Sequence, residues 1–291
     1  MKNKVLIGLL LVLIGGWGNL LAQKAGESYA RQVNTLIGTK GVGLTSGYLY
    51  PGATYPYGMV QFTPSYFSKR SGFVINQLSG GGCEHMGNFP TFPVKGKLKM
   101  SPDNILNYRI NISEEKGHAG YYEAMVQEDI KAKLTVTERT GMASYEYPAD
   151  QQYGTVIIGG GISATPIEQA AVVITAPNKC EGYAEGGNFC GLRTPYKVYF
   201  VAEFDTDALE LGTWKRDDLK PNTTFAEGEY SGVYFTFDVS KKKNIQYKIG
   251  VSYVSVENAR ENLKAENAGW DFLQIQNQAE SKWNHYLGKI E

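Results

Sequence analysis

Most of the chain after residue 22 alternates between apolar and polar residues with a period of two. The clearest runs are Ile130–Val136, Tyr196–Phe204, Gly232–Val239 and Ile245–Tyr253. Such alternation is typical of strands that turn one face toward a core and the other toward solvent. Shorter strands are expected at Val60–Thr63, Val94–Met100, Tyr121–Gln127, Met142–Tyr147 and Thr155–Ile158. With almost no helix between them, these runs predict an all-β fold, a large antiparallel sandwich.

The pattern changes near Ser255, which can cap a short helix over Val256–Lys264. Asp271 can cap a second helix, with Gln274 at the capping-box position. Apolar residues then recur at steps of three and four: Phe272, Ile275, Ala279, Trp283, Tyr286, Leu287 and Ile290. We expect this helix to run to Glu291 without a C-cap glycine. Its wide apolar stripe either covers the sandwich or, as we favour, leads into a further part of the protein. The sandwich would then occupy residues 23–255 and the helical linker residues 256–291.

The first 22 residues have the composition of a secretory signal peptide. Lys2 and Lys4 precede the apolar run Val5–Ile14, and Ala22 offers a small residue before a cut at Gln23. The run is short for a membrane span, so an uncleaved amphipathic anchor is the alternative. This interpretation predicts a periplasmic or secreted protein with no membrane partner after cleavage.

Charge and aromatic content narrow the choice of partner. Residues 23–291 contain 27 basic and 29 acidic side chains, a net charge of −2. So balanced a chain is a poor match for nucleic acid or an anionic membrane. The 20 Tyr, 4 Trp and 12 Phe could stack on sugar rings, although most of them would serve equally well in a β core.

Two glycine-rich loops carry the candidate binding residues. The first, Gly80–Asn88, can bring Glu84, His85 and Asn88 together with backbone N–H groups, and Gln77 lies just before it. The second, Gly186–Pro195, places Phe189 as a stacking surface and Arg193 as a polar clamp. Loops of this kind more often build binding sites than cores. The alternative for each is a plain connection, with His85 satisfied locally and Phe189 turned inward.

The sequence of these loops does not identify a set of catalytic residues. Glycoside cleavage needs two placed carboxylates, and no partner for Glu84 can be identified by spacing. A nucleophilic Cys83 would need the His85 imidazole within hydrogen-bond reach, which the sequence does not show, so a Cys–His nucleophile is not favoured. The chain also lacks the clustered Cys and His of a zinc site. Cys180 and Cys190 flank a glycine-rich segment, and the sequence leaves open whether they form a disulfide that would leave Cys83 as a free thiol.

Four blocks of sequence resemble one known family. They are Val33–Thr39 (VNTLIGT), Tyr50–Gln61 (YPGATYPYGMVQ), Leu78–Cys83 (LSGGGC) and Thr137–Gly141 (TERTG). Their order resembles the amino-terminal domain of glycoside hydrolase family 92, the calcium-dependent exo-α-mannosidases. The resemblance runs from Val33 to Glu291. Where many members carry His-Thr-His before Leu-Ser-Gly, this chain has Ile75-Asn76-Gln77, so no α-1,2 preference is implied.

The resemblance implies a fold, a reaction, a metal and partners that the residue pattern alone does not show. Family members pair a β-supersandwich of the galactose-mutarotase type with a carboxy-terminal (α/α)6 barrel. The barrel holds the inverting Glu acid, the Asp base and the Ca²⁺ ligands, so no catalytic residue and no metal ligand is expected in this chain. The sandwich would help to form the substrate cleft, with Gln77, Glu84, His85, Asn88, Phe189 and Arg193 as its substrate-binding residues. Its expected partners are mannose-containing glycans, such as N-glycan or mannan chains, and the barrel itself.

Three hypotheses follow for the function. The first is part of a family 92 mannosidase, inactive alone, with an exposed apolar patch around Phe272 and Trp283. The second is a free-standing secreted carbohydrate-binding module, with the last helix docked on the sandwich. The third, a scaffold without sugar binding, leaves the polar glycine-rich loops unexplained.

Overall fold

The computed structural model describes residues 28–39, 49–65, 72–105 and 111–289. The expected signal peptide and the aromatic pair Tyr66 and Phe67 lie outside these residues. The described part of the chain folds into two sheets whose strand pairs are antiparallel, which confirms the all-β prediction. The helices are α1 (Tyr29–Gln32), α2 (Pro102–Ile105), α3 (Val256–Glu266) and α4 (Phe272–Leu287).

The first sheet has eight strands in a mixed sequence order. In spatial order they are β1 (Ala53–Thr54), β2 (Gln61–Pro64), β3 (Phe73–Val74), β4 (Thr91–Lys95), β9 (Tyr153–Ile158), β16 (Ser231–Asp238), β13 (Glu210–Lys215) and β14 (Asp218–Pro221). The expected strand at 94–100 is shorter than predicted and shifted toward the amino terminus, because it ends at Lys95.

The second sheet has nine strands. In spatial order they are β15 (Phe225–Glu227), β10 (Ile167–Ala176), β11 (Lys179–Phe189), β12 (Leu192–Phe204), β17 (Asn244–Ser252), β8 (Thr140–Glu146), β7 (Ile130–Val136), β6 (Tyr121–Val126) and β5 (Ile112–His118). The strands with the clearest alternation, β7, β12, β16 and β17, lie where the pattern predicted them. β10 and β11 were not predicted, and β11 replaces the expected loop.

The core lies between the two sheets, where aromatic rings from both meet. Phe204 of β12 lies 4.9 Å from Phe235 of β16, measured between ring centroids. Phe73 of β3 stacks on Tyr145 of β8 at 6.2 Å. All four side chains are fully buried. Each buried ring of this size contributes about 1.5–3 kcal/mol relative to exposure, so the two sheets stabilise each other mainly through these contacts.

The last two helices begin as predicted. The Ser255 side chain accepts from the Asn258 N–H, and the Asp271 side chain accepts from the Gln274 N–H. Helix α4 ends at Leu287 with Gly288 at its C-cap, so the expectation of a helix without a C-cap glycine is wrong. The reason is local, since Gly288 donates its N–H to the Asn284 carbonyl and closes the last turn.

Helix α4 lies on the sandwich, contrary to the arrangement that we favoured. Ile275 and Ala279 are buried, and the Trp283 indole N–H donates to the Thr54 carbonyl at 2.7 Å. A Cβ on Gly120, in the β5–β6 turn, would lie 2.9 Å from the Ala279 Cβ, so this glycine permits the close approach. Burial of the stripe against the sheet explains the docking, because an apolar helix face gains most when water leaves both surfaces.

Candidate functional site

A disulfide between Cys83 and Cys190 joins the two predicted loops. The first loop, residues 77–88, has no regular secondary structure. The second is the tip of the β11–β12 hairpin, residues 188–192. The Cys180–Cys190 pairing considered from the sequence is wrong. Residues ten apart on an extended strand are separated by about 33 Å, and Cys180 lies buried in the core as a free thiol.

The hairpin tip is a tight two-residue turn. Cys190 and Gly191 form it, with φ of 52° and 85°, and Phe189 pairs with Leu192 across it. Two consecutive positive φ values are what a type I′ hairpin requires. The turn therefore holds Cys190 at the outermost point of a rigid hairpin, where its sulfur reaches the 77–88 loop.

His85 lies between the loop and the hairpin. Its ring makes edge contacts with Phe189 at 5.2 Å and Tyr196 at 5.6 Å between centroids. Its Nδ1 lies 3.3 Å from the Asn188 carbonyl oxygen. Because a carbonyl can only accept, this contact assigns the ring proton to Nδ1 and leaves Nε2 as an acceptor in the neutral ring. The buried histidine thus connects Phe189 to the loop.

Asn88 is the centre of a buried hydrogen-bond network. Its Oδ1 accepts from the Tyr196 hydroxyl at 2.8 Å and from Asn76 Nδ2 at 3.0 Å. Asn76 in turn accepts from the Asn88 N–H and donates to the Tyr253 hydroxyl. Burial raises the pKa of Tyr196 to about 12, so its hydroxyl remains a donor at neutral pH. Asn88 is fully buried, and its position supports the loop from beneath.

Gln77 has a similar supporting position. It is buried and donates through Nε2 to the His85 carbonyl at 2.9 Å. Gly87, at φ 72°, is required beside it, because a Cβ there would lie 2.6 Å from Gln77 Oε1. Gln77 therefore fixes the backbone of His85 and presents little surface to a ligand.

Glu84 differs from its neighbours because its carboxylate has no hydrogen-bond or ion-pair partner in the part of the chain that the structure describes. The side chain is half-buried. Partial burial raises the pKa of Glu84, since removal from water disfavours the charged form. An unpaired, partly desolvated carboxylate can accept hydrogen bonds from ligand hydroxyls.

Arg193 is exposed and already paired. Its Nε and one terminal nitrogen donate to the two carboxylate oxygens of Glu168, at 3.0 and 2.9 Å. The structure therefore brings Gln77, Glu84, His85, Asn88 and Phe189 together and leaves Arg193 in a surface ion pair beside them. Whether each contacts a substrate stays a prediction.

Several residues that build the site were missed by sequence reasoning. They are Cys83 and Cys190 as a pair, and Asn76, Tyr196 and Tyr253 as network partners. One available signal was the phase of Cys180, which shares its strand face with the small residues Gly182 and Ala184 and so belongs to the core. That phase leaves Cys83 and Cys190 as the two loop cysteines.

The contacts of Glu84 and the grouping of metal-ligating side chains bear on acid–base and metal chemistry. No second carboxylate faces Glu84 in the contacts described above, and no group of three or more His, Cys, Asp or Glu side chains within the described ranges could hold a metal ion. Among the same residues, no helix is both long and apolar enough to cross a bilayer. That this arrangement binds a small polar ligand with an apolar face stays a prediction.

Fold and site together define a supersandwich domain whose loop and hairpin tip present a polar and aromatic surface. The particular family follows from sequence comparison. Residues 32–252 match the Glycosyl hydrolase family 92 N-terminal domain, and the chain belongs to this family.

Three relatives that the chain resembles are much longer than it. A curated relative, an uncharacterized secreted glycosidase of Arthroderma benhamiae, is 26% identical over 89% of this chain and 38% of its own. The family GH92 alpha-mannosidase BT3965 of Bacteroides thetaiotaomicron is 26% identical with a TM-score of 0.77, over 90% of this chain and 38% of that one. The gh92 family glycosyl hydrolase ccman5, at 23% identity over 89% of this chain and 37% of its own, shares the fold with a TM-score of 0.78. The chain thus spans less than two-fifths of the length of these relatives.

Proposed function

We propose that this chain is the substrate-contacting amino-terminal domain of a secreted α-mannosidase. The whole enzyme would remove mannose from N-glycan or mannan chains with inversion of configuration, and this domain alone would be inactive. The observation that carries the proposal is family membership across most of the described chain, together with its coverage of only 38% of BT3965. A solved complex of BT3965 holds mannoimidazole, which supports a mannose-like ligand.

The surface beside the site supports a partner domain. Leu78, Tyr253 and Val254 expose 41%, 38% and 74% of their surface, and Tyr253 shares the Asn76 network of the loop. Apolar side chains in such a position favour coverage by further protein. We propose that the (α/α)6 barrel of the full-length enzyme lies against this surface and supplies the acid, the base and the Ca²⁺ site.

The proposal is tested by comparing this chain with the full-length protein on an α-linked mannobiose. We expect hydrolysis by the full-length protein and none by this chain. In the full-length protein, Phe189→Ala should lower kcat/KM by the equivalent of about 1–3 kcal/mol, as for other buried aromatic contacts. Phe225→Ala is the matched control, because Phe225 is an exposed phenylalanine on the edge strand β15.

Two results would contradict the proposal. Hydrolysis by this chain alone would place the catalytic groups within it. Equal kcat/KM values for the Phe189 and Phe225 variants would remove the hairpin tip from the substrate site.

One observation favours a second candidate, a free-standing carbohydrate-binding module. Helix α4 packs its apolar stripe on the sandwich, as that hypothesis requires, and its Trp283 side chain is half-buried and hydrogen-bonded. Calorimetric titration of this chain with methyl α-mannoside separates the two functions. Saturable binding that Phe189→Ala weakens and Phe225→Ala leaves unchanged would support the module, and absence of binding would support the dependent domain.

A further inference from the structure

The segment from Gly80 to Glu84 has few attachments other than its disulfide. Before it, Ser79 accepts a hydrogen bond from the Tyr50 N–H. After it, the His85 carbonyl is held by Gln77, and Asn88 by its buried network. Within the described residues, no hydrogen bond is made by the backbone or side chains of residues 80–84. The Cys83–Cys190 bond is thus the one polar or covalent attachment of this segment to the hairpin.

The composition of the segment makes that attachment necessary. Gly80, Gly81 and Gly82 have the largest backbone freedom of any residue type, and Gly80 and Gly82 have φ of 73° and 76°. Ordering three consecutive glycines costs conformational entropy that van der Waals contact with Phe189 alone offsets weakly. The bond closes a separation of 107 residues, so it removes many open arrangements of the loop and the hairpin.

Glu84 and His85 depend on this closure. Glu84 follows Cys83 directly and has no partner of its own in the described structure. His85 reaches the hairpin through one 3.3 Å hydrogen bond and two edge-on ring contacts. Without the bond, these contacts would have to hold a mobile glycine segment against a separate hairpin.

We infer that the Cys83–Cys190 disulfide positions Glu84 and His85, so that the candidate ligand site is assembled in the oxidised protein and opens when the bond is reduced. The ligand part of this inference rests on the proposed function. A dithiol would supply two electrons and two protons to the S–S bond, leaving two thiols and becoming a cyclic disulfide itself. The site would then form in oxidising compartments, where such bonds persist.

The test is amide hydrogen exchange, followed by mass spectrometry, on the oxidised chain and on the chain reduced with dithiothreitol. We expect exchange of the Asn88 and Gly191 amides, which donate to the Asn76 and Asn188 side chains, to accelerate at least about tenfold on reduction, the lower part of what loss of a disulfide costs. Peptides from β7 and β8 in the core should keep their protection. Cys180→Ala, which retains the bond, is the control and should respond to reduction as the unchanged protein does.

A Cys83→Ser/Cys190→Ser double variant gives the same test without reductant. If the double variant does not fold, exchange in the reduced wild-type chain tests the inference. If the bond in the wild-type chain resists reduction, exchange in the double variant tests it. Unchanged exchange of the Asn88 and Gly191 amides would overturn the inference. Loss of protection throughout β7 and β8 would also overturn it, because the bond would then serve global stability.

A ligand measurement separates this inference from the proposed function. In the full-length protein, reduction should weaken the affinity for mannoimidazole by about tenfold or more if the loop forms part of the site. If exchange accelerates and the affinity stays the same, the disulfide positions the loop, and the proposed substrate-contacting role of the loop is wrong.

Discussion

At the scale of single residues, the site contains two kinds of polar side chain. Gln77 and Asn88 are buried and hydrogen-bond to groups of the loop and of β12, whereas Glu84 is half-exposed and unpaired among the described residues. The sequence predicted this cluster but could not separate the two roles. The separation depends on contacts such as Asn76 with Tyr253, 177 residues apart, which no local spacing reveals.

Glu84→Gln should change how stability depends on pH. The folded protein raises the pKa of Glu84 above its ordinary value of 4.5 through desolvation, so the folded state binds the proton more tightly than the unfolded state. The contribution of Glu84 to stability is therefore present below pH 4.5 and is lost as pH rises through the raised pKa. We expect equal urea midpoints for variant and wild type at pH 4, and a higher midpoint for the variant at pH 7.

Glu168→Gln is the control of opposite sign. Arg193 lowers the pKa of Glu168 through a charge-assisted hydrogen bond, so this carboxylate stabilises the fold above its ordinary pKa and the contribution is lost as pH falls. Its variant should lose a little stability at pH 7. An equal rise at pH 4 and pH 7 for Glu84→Gln would show that desolvation of the charge is not the cause.

At the scale of elements, hydrophobic periodicity predicted the strands with the clearest alternation of large residues, and it missed β11 because the inward residues of β11 are small. The inward face of β11 is Cys180, Gly182, Ala184 and Gly186. Gly182 is required there, because a Cβ would lie 3.0 Å from the Phe200 ring and 2.1 Å from the Ala171 carbonyl oxygen. The small inward residues let the neighbouring strands approach closely. The same residues made this segment look like a glycine-rich loop in the sequence.

Ala279→Leu should lift helix α4 from the sandwich. Ala279 is fully buried against Gly120, and the added carbons have no space without movement of the helix or the turn. We expect a loss of about 1–3 kcal/mol in the free energy of unfolding, typical of overpacking. Urea denaturation followed by tryptophan fluorescence measures it, and Trp283 should also become more exposed in the native baseline.

Gln278→Leu introduces the same residue one position earlier, on the exposed side of the helix. It should leave the midpoint within about 0.5 kcal/mol of wild type, as for surface changes away from special features. Equal losses in both variants would mean that helix propensity, and not packing against Gly120, determines the effect.

At the scale of the whole molecule, the two-sheet architecture and the family were predictable, and the position of α4 was not. Alternating strands specify sheets, and the PGAT and LSGGGC motifs specify the family, so both are encoded locally. An apolar stripe on a helix predicts that some surface covers it, but it does not identify that surface. The cover is identified by long-range contacts such as Trp283 with Thr54, 229 residues apart.

Chelation of metal ions should affect the full-length enzyme and leave this domain unchanged. We expect EDTA to abolish mannoside hydrolysis by the full-length protein and Ca²⁺ to restore it, if the metal is held outside this chain. The melting temperature of this chain should not change under the same treatment, because its described residues include no cluster of metal ligands. A lower melting temperature of the chain in EDTA would place a metal site within it.

The contact between α1 and α4 also affects how the protein is made. Ser28 and the Ala30 N–H hydrogen-bond to the Asn284 side chain, and Arg31 pairs with Glu280, across up to 256 positions of sequence. A ribosome adds about 5–20 residues per second, so the first of these partners would wait roughly 10–50 s for the last. Throughout that interval the early segment lacks these partners. The contact between α1 and α4 can therefore form only after α4 has been made.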